Sequence, residues 1–168
     1  HDVEQLKAAI DAEDVAAVQG LMGRAPALHR AAMGYGKNGP LTWVAECRGA
    51  ASPPSAARLE MARWMIENGS DVHQGGGGPL MRAALNSKRL AMMELLVAHG
   101  ADVNAMWDAR VPIIFGACEC VDPVAIAWLL SHGADANCGG RQCGTALDYL
   151  LCGYVRKDEF AACIELLL

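Results

Sequence analysis

The chain has 168 residues, of which 53% are hydrophobic and 20% charged, and its net charge is −5 at neutral pH. This composition excludes an intrinsically disordered chain, and no segment approaches the ~20 apolar residues that a membrane-spanning helix needs. The acidic balance argues against a nucleic-acid partner, because nucleic-acid binders carry a basic surface. Because the chain begins at His1 and ends inside an apolar run, we expect a trimmed or mature fragment.

Four positions along the chain predict the start of a helix. Three are proline followed by an apolar residue, and the fourth is an alanine-leucine pair after a threonine: Pro40, Pro79, Pro112 and Ala146. Proline suits a first helical turn, because its missing N–H would be unpaired there anyway. Small residues follow these starts, which would let a neighbouring helix approach closely.

Each of these helices, which we call the first helices, is followed by a predicted second helix with a denser apolar pattern. In one of these second helices Leu90, Met93, Leu96 and Val97 share a face, and in the next Val124, Ala127 and Leu130 do so. Asp122 followed by Pro123 is a typical helix start. Gly69, Gly100 and Gly133 follow these apolar runs, and glycine there supplies the left-handed residue that ends a helix.

The segment that ends the second helix recurs in the sequence. HGADVN at 99–104 returns as HGADAN at 132–137, 33 positions later, and NGSDVH at 68–73 is a looser copy. A period of ~33 residues indicates a repeat protein of about five units. No unit of this size can bury its own apolar face, so the units must stack.

These segments resemble ankyrin repeats. The resemblance rests on GADVN at 100–104, GADAN at 133–137, PLMRAA at 79–84 and GTAL at 144–147. It implies an all-α ankyrin-type solenoid of helix-turn-helix repeats joined by short finger loops. The predicted organisation is a single domain, 1–168, with an N-terminal cap-like unit at 3–34, further units at 35–70, 71–101 and 102–134, and a truncated last unit at 135–168.

The chain departs from the family pattern at the start of each first helix. In the family a threonine and a histidine there connect adjacent fingers by hydrogen bonds. Here the threonine position holds Gly39, Gly78, Val111 and Thr145, and the histidine position holds Thr42, Met81, Ile114 and Asp148. We therefore expect that this set of hydrogen bonds is largely absent and that packing holds the stack together.

The resemblance places one residue of each first helix on a concave face. These four positions hold Trp43, Arg82, Phe115 and Tyr149, and the fingers add Trp107, Arg110 and Arg141. Tryptophan, tyrosine and arginine dominate binding hot spots, since they bury a large area while keeping a polar group. We predict these seven residues as the partner-binding set. The alternative is packing within the array, in which each ring covers the helix of the preceding unit.

Catalytic and metal-binding signatures are weak in this sequence. We expect no enzyme and no cofactor, since no known catalytic spacing occurs. A zinc site with four cysteine ligands would need Cys118 and Cys120 to converge with Cys138 and Cys143 on one ion. A helix of about ten residues separates these pairs by roughly 15 Å, which argues against such a site. A redox-active pair of Cys138 with Cys143 stays open, as does an anion site at Gly75–Gly78, for which a shortened finger is the favoured interpretation. Trp64 and Trp128 are predicted in the core.

The sequence thus predicts a module that binds a protein partner through its concave face and fingers. The arginines beside aromatic residues suggest a partner surface that is part apolar and part acidic. The alternatives are a regulatory or accessory domain of a larger protein or enzyme and, more weakly, a thiol-redox or small-molecule sensor. Seven scattered cysteines are typical of reduced thiols, so we expect a cytoplasmic protein and a monomer.

Overall fold

The computed structural model describes residues 1–34, 36–46, 53–139, 144–153 and 157–168. Within this part of the chain the first helices, which begin each helix pair, are α1 (Asp2–Asp11), α3 (Pro40–Glu46), α5 (Gln74–Ala84), α7 (Ile113–Glu119) and α9 (Ala146–Cys152). The second helices are α2 (Val15–Arg24), α4 (Ala56–Glu67), α6 (Leu90–Ala98), α8 (Pro123–Ser131) and α10 (Phe160–Leu167). A 3₁₀ turn (Pro26–Arg30) follows α2, and β1 (Met106–Trp107) and β2 (Val111–Pro112) form a hairpin before α7.

The helices pack in two layers. Each first helix contacts the next one, so that α1, α3, α5, α7 and α9 form one layer. In the other layer α2 packs on α4, α4 on α6, and α8 on α10. One continuous apolar core fills the space between the layers, with Leu6, Val44, Leu80, Ile113 and Leu129 fully or almost fully buried. The predicted all-α architecture of stacked helix pairs is confirmed.

The predicted ends of the second helices are also confirmed. Gly69, Gly100 and Gly133 have φ angles of +111°, +93° and +87°, in the left-handed region that glycine adopts without a steric penalty. At the other end of α8, the Asp122 side chain accepts hydrogen bonds from the backbone N–H groups of Val124 and Ala125, both at 3.1 Å. Local sequence signals, namely the left-handed glycines and the capping aspartate, therefore set these helix boundaries.

The starts of the first helices follow the prolines closely. Pro40 is the first residue of α3, and Pro112 is the residue that caps α7. Pro79 lies within the bounds of α5, but Gly75, Gly76 and Gly77 before it have left-handed φ angles, so the regular helix begins after them. Thr145 caps α9 in a capping box with Asp148.

Two packing predictions need correction. Val124 is 60% exposed, and the core face of α8 is formed by Ala125, Ile126 and Leu129 instead. The helix is apolar on several faces, so periodicity alone could not choose between them. Trp64 and Trp128 are only half-buried and pack at the edge of the core, where Trp128 stacks on His132 with ring centroids 3.9 Å apart.

Within the described ranges, none of the helices has the length and apolar character that crossing a membrane would require.

Candidate binding surface

Three of the predicted binding residues, Trp43, Arg82 and Tyr149, lie on first helices and contact the unit before their own. Trp43 belongs to α3, and its indole Nε1–H donates a hydrogen bond of 2.8 Å to the Asp11 carboxylate at the end of α1. The Lys7 ammonium, also on α1, lies 5.1 Å from the centre of the Trp43 ring. Trp43 therefore ties the second unit to the first, as the packing alternative predicted.

Arg82 on α5 is held by two groups at once. Its guanidinium Nη1 lies 3.7 Å from a carboxylate oxygen of Glu46, at the end of α3. Its guanidinium carbon also lies 5.6 Å from the centre of the Trp107 ring in the hairpin, within the range of a cation–π interaction. Arg82 thus links three elements, and its charge is already balanced by Glu46.

Phe115 does not reach the surface. Its side chain on α7 is only 2% exposed, and its ring stacks on that of Tyr149 with centroids 4.4 Å apart and an interplanar angle of 26°. Phe115 was predicted as a contact residue because its position in the repeat matches those of Trp43 and Arg82. In the fold the next unit covers it, so Phe115 supports Tyr149 from behind.

Tyr149 keeps a polar group at the surface. Its ring is half-buried on α9, and its hydroxyl donates a hydrogen bond of 2.9 Å to the carboxylate of Glu119 at the end of α7. Asp11, Glu46 and Glu119 all lie at the ends of first helices and each accepts from, or pairs with, a residue of the following unit. This series of acids was not predicted from the sequence, although their recurrence near the ends of α1, α3 and α7 was a signal.

The hairpin presents the finger residues. Met106 pairs with Pro112 and Trp107 with Val111 in the antiparallel register. Asp108 and Ala109 turn the chain with positive φ angles of 50° and 54°. Trp107 is half-buried against the core, whereas Arg110 is exposed at the tip and donates to the Asp108 carboxylate. Arg141 and Cys143 lie outside the described residues.

A pocket of about 120 Å³ opens where the hairpin meets the first helices. Its lining is mostly apolar, with two aromatic rings and two charged groups: Met81, Arg82, Leu85, Trp107, Val111, Gly116, Glu119 and Tyr149. Three predicted residues, Arg82, Trp107 and Tyr149, therefore meet at one site. Trp43 lies further towards the N-terminus and does not line this pocket. Arg110 lies at the hairpin tip, next to the lining residue Val111.

Hydrogen bonds between fingers correct the expectation that packing alone holds the stack. The Asn104 side chain donates to the carbonyl of Gly133 and accepts from the backbone N–H of Asp135, both at 2.8 Å. One unit earlier, His73 Nε2 accepts from the backbone N–H of Asp102 at 3.1 Å. These links use the last residue of the recurring segment, so the repeat itself contained the missed signal.

The glycine run before Pro79 is a close-packed finger. The N–H groups of Gly76 and Gly77 both donate to the carbonyl of His73, at 2.9 and 3.1 Å, so they are occupied and do not form an anion cradle. A Cβ atom on Gly76 would lie 2.6 Å from the carbonyl oxygen of Met106. On the other side of the run, a Cβ on Gly75 would lie 2.6 Å from the Asn38 side chain. Asn38 on one side and Met106 on the other therefore leave no space for a side chain at Gly75 or Gly76.

Two of the thiols that the structure describes, Cys118 on α7 and Cys163 on α10, are buried. Burial raises the pKa of Cys118 to about 12, and the neighbouring Cys163 adds to this effect. Burial likewise raises the pKa of Cys120, whose thiol points at the carbonyl of Leu85 at 2.6 Å. In the described part of the chain, no group of three or more His, Cys, Asp or Glu side chains could hold a metal ion. The Cys138–Cys143 pair stays a prediction, since Cys143 lies outside that part.

Comparison with known proteins identifies the repeat. Residues 75–108 match the family model of the ankyrin repeat; this span contains most of α5, all of α6 and β1. No curated protein matches the chain. The predicted resemblance is thus confirmed, and helix pairs of the same form stack on both sides of the matched repeat. Ankyrin repeats are generic protein–protein interaction modules, and proteins built from them are in general not enzymes.

Proposed function

We propose that this chain binds a protein partner through the surface formed by its first helices and its hairpin. The observation that carries the proposal is the meeting of Arg82, Trp107 and Tyr149 around one apolar pocket. Binding hot spots are enriched in these three residue types and lie in pockets that exclude water. On this proposal Trp107 and Tyr149 contact the partner directly, while Arg82 holds Trp107 in position.

The other predicted residues take lesser parts in the proposal. Arg110 is exposed beside the pocket and would lie at the rim of the interface, where a contact contributes little affinity but increases the association rate. Trp43 would extend the surface towards the N-terminus, and Arg141, which lies outside the described residues, stays a predicted contact residue. Phe115 would act only through Tyr149.

The compartment is proposed as cytoplasmic, on the support of the buried free thiols of Cys118 and Cys163.

Site-directed photo-cross-linking tests this proposal. A photo-reactive amino acid replaces Arg110, which is exposed beside the pocket, or Glu60, which is exposed on α4 in the other helix layer. We expect a defined covalent adduct with a partner protein from Arg110 and none from Glu60. Equal labelling from both positions would show non-specific contact and contradict the proposal.

A matched pair of tryptophan variants separates binding from stability. Trp107→Ala removes a half-buried ring at the pocket, and Trp128→Ala removes a half-buried ring on α8, away from it. We expect the Arg110 cross-link to be lost in Trp107→Ala and kept in Trp128→Ala, with helical circular dichroism retained in both. A cross-link that survives Trp107→Ala would contradict the proposal.

A further inference from the structure

The pocket has room for a single side chain. An apolar protein cavity of ~150 Å³ holds one benzene molecule, and this pocket has about 120 Å³. Its walls offer apolar groups from Met81, Leu85 and Val111, together with the rings of Trp107 and Tyr149. A side chain that enters must therefore have an apolar part of moderate length.

The charged groups at and near the pocket differ in whether they have a charged partner. Arg82 faces Glu46, and Arg110 faces Asp108, so both arginines already have a carboxylate partner. Glu119 lines the pocket and receives a hydrogen bond only from the neutral Tyr149 hydroxyl among the described residues. Of the two charged groups that line the pocket, Arg82 is paired with Glu46, whereas Glu119 has no cationic partner among the described residues.

We infer that this pocket binds one lysine or arginine side chain of the partner. This inference rests on the proposed function and adds the chemistry of the bound residue. The alkyl stem of such a side chain buries itself along apolar surface while its head stays polar. Here the stem would lie on the apolar floor, and the head would pair with Glu119 beside the aromatic rings, which attract cations.

The inferred basic side chain differs from the part-acidic partner expected from the sequence. That expectation rested on counting arginines near aromatic residues. The structure shows that Arg82 and Arg110 already pair with acids of the chain itself, so an acidic partner would meet arginines whose charge is already balanced. A basic side chain instead supplies the charge that Glu119 lacks.

Peptide selection on the folded chain tests the inference. A random library of displayed 12-residue peptides is selected against the whole protein and counter-selected against its Trp107→Ala variant. We expect a lysine or arginine to recur at one position of the selected peptides. In a synthetic peptide from this set, replacing that lysine with norleucine should weaken binding about fivefold, because the alkyl stem remains and the charge is lost.

Two charge variants of the protein provide the decisive comparison. Glu119→Gln keeps an acceptor for Tyr149 and should reduce the difference between the lysine and norleucine peptides, because only the attraction of the aromatic rings for the cation then remains. Glu94→Gln makes the same change in net charge at an exposed site on α6 and should leave the difference intact.

The outcomes separate the inference from the proposed function. Trp107-dependent peptides without a basic residue, or a lysine preference that is undiminished in Glu119→Gln, would overturn the inference and leave the binding surface standing. If no selected peptide depended on Trp107, the proposed binding surface and the inference would both be overturned.

Discussion

A buried ion pair between the first two units gives the sharpest test of the packing. Arg58 on α4 is completely buried, and its Nε lies 3.2 Å from a carboxylate oxygen of Glu13, in the turn between α1 and α2. Its Nη1 faces the carbonyl of Val44 at 3.4 Å. Ser55 donates to the other Glu13 oxygen at 2.7 Å. The pair therefore connects the cap unit to the helices of the next unit.

We predict that Glu13→Gln destabilises the protein strongly. Removing one member of a buried ion pair costs about 3–5 kcal/mol, because the other charge stays buried without its counter-ion. The Glu13 side chain is 29% exposed, so water reaches part of this site and the lower end, about 3 kcal/mol, applies. For a chain of this size that loss corresponds to a decrease in melting temperature of about 6–12 °C.

A double-mutant cycle isolates the charge term. Arg58→Met replaces the guanidinium with an apolar side chain, and in its presence Glu13→Gln should cost much less than 3 kcal/mol, since no buried charge is left behind. Urea denaturation followed by circular dichroism gives the free energies of unfolding. Glu4→Gln breaks an exposed pair with Lys7 and serves as the control, with a change within about 0.5 kcal/mol. A Glu13→Gln loss below about 1 kcal/mol would refute this reasoning.

Three further predictions concern the finger, a buried histidine and the thiols. Gly76→Ala should lower the melting temperature, because its φ of +73° and the Met106 oxygen 2.6 Å from the added Cβ both oppose a side chain; an unchanged melting temperature would contradict this. Burial, and secondarily Arg30, lower the pKa of His29 from 6.5. The free energy of unfolding should then be unaffected by His29 above about pH 6.5 and decrease as the pH falls towards the lowered pKa. In urea titrations between pH 5 and 7.5, His29→Gln should remove this part of the slope; an identical slope would be the contrary result. In maleimide labelling with peptide mapping, exposed Cys152 should react well before buried Cys118; equal rates would contradict the burial argument.

The sequence was most informative where local chemistry decides the structure. Gly100 and Gly133 ended their helices as predicted, because the left-handed conformation there requires little beyond the residue itself. Asp122 capped α8 for the same local reason. The face of α8 could not be predicted in this way: its apolar residues surround the helix, and only the neighbouring units determine that Val124 is exposed.

The candidate site shows the same limit. Sequence position placed Phe115 in register with Trp43 and Arg82, but whether a residue at that position is exposed depends on what the next unit presents. Tyr149 covers Phe115 with its ring. The acids Glu46 and Glu119 were missed because their significance appears only when the following unit brings a polar group to them.

The contacts that hold the stack together also order the side chains of the proposed binding surface. Arg82 is fixed by Glu46 and Trp107, and Tyr149 by Phe115 and Glu119, before any partner arrives. Ordering a mobile side chain on binding costs about 0.5–1.5 kcal/mol, and this cost is largely avoided when the side chain is already fixed. The packing and binding interpretations of these residues are therefore compatible. The same contacts mean that a loss of binding in any variant of Arg82 or Tyr149 has to be measured beside its free energy of unfolding.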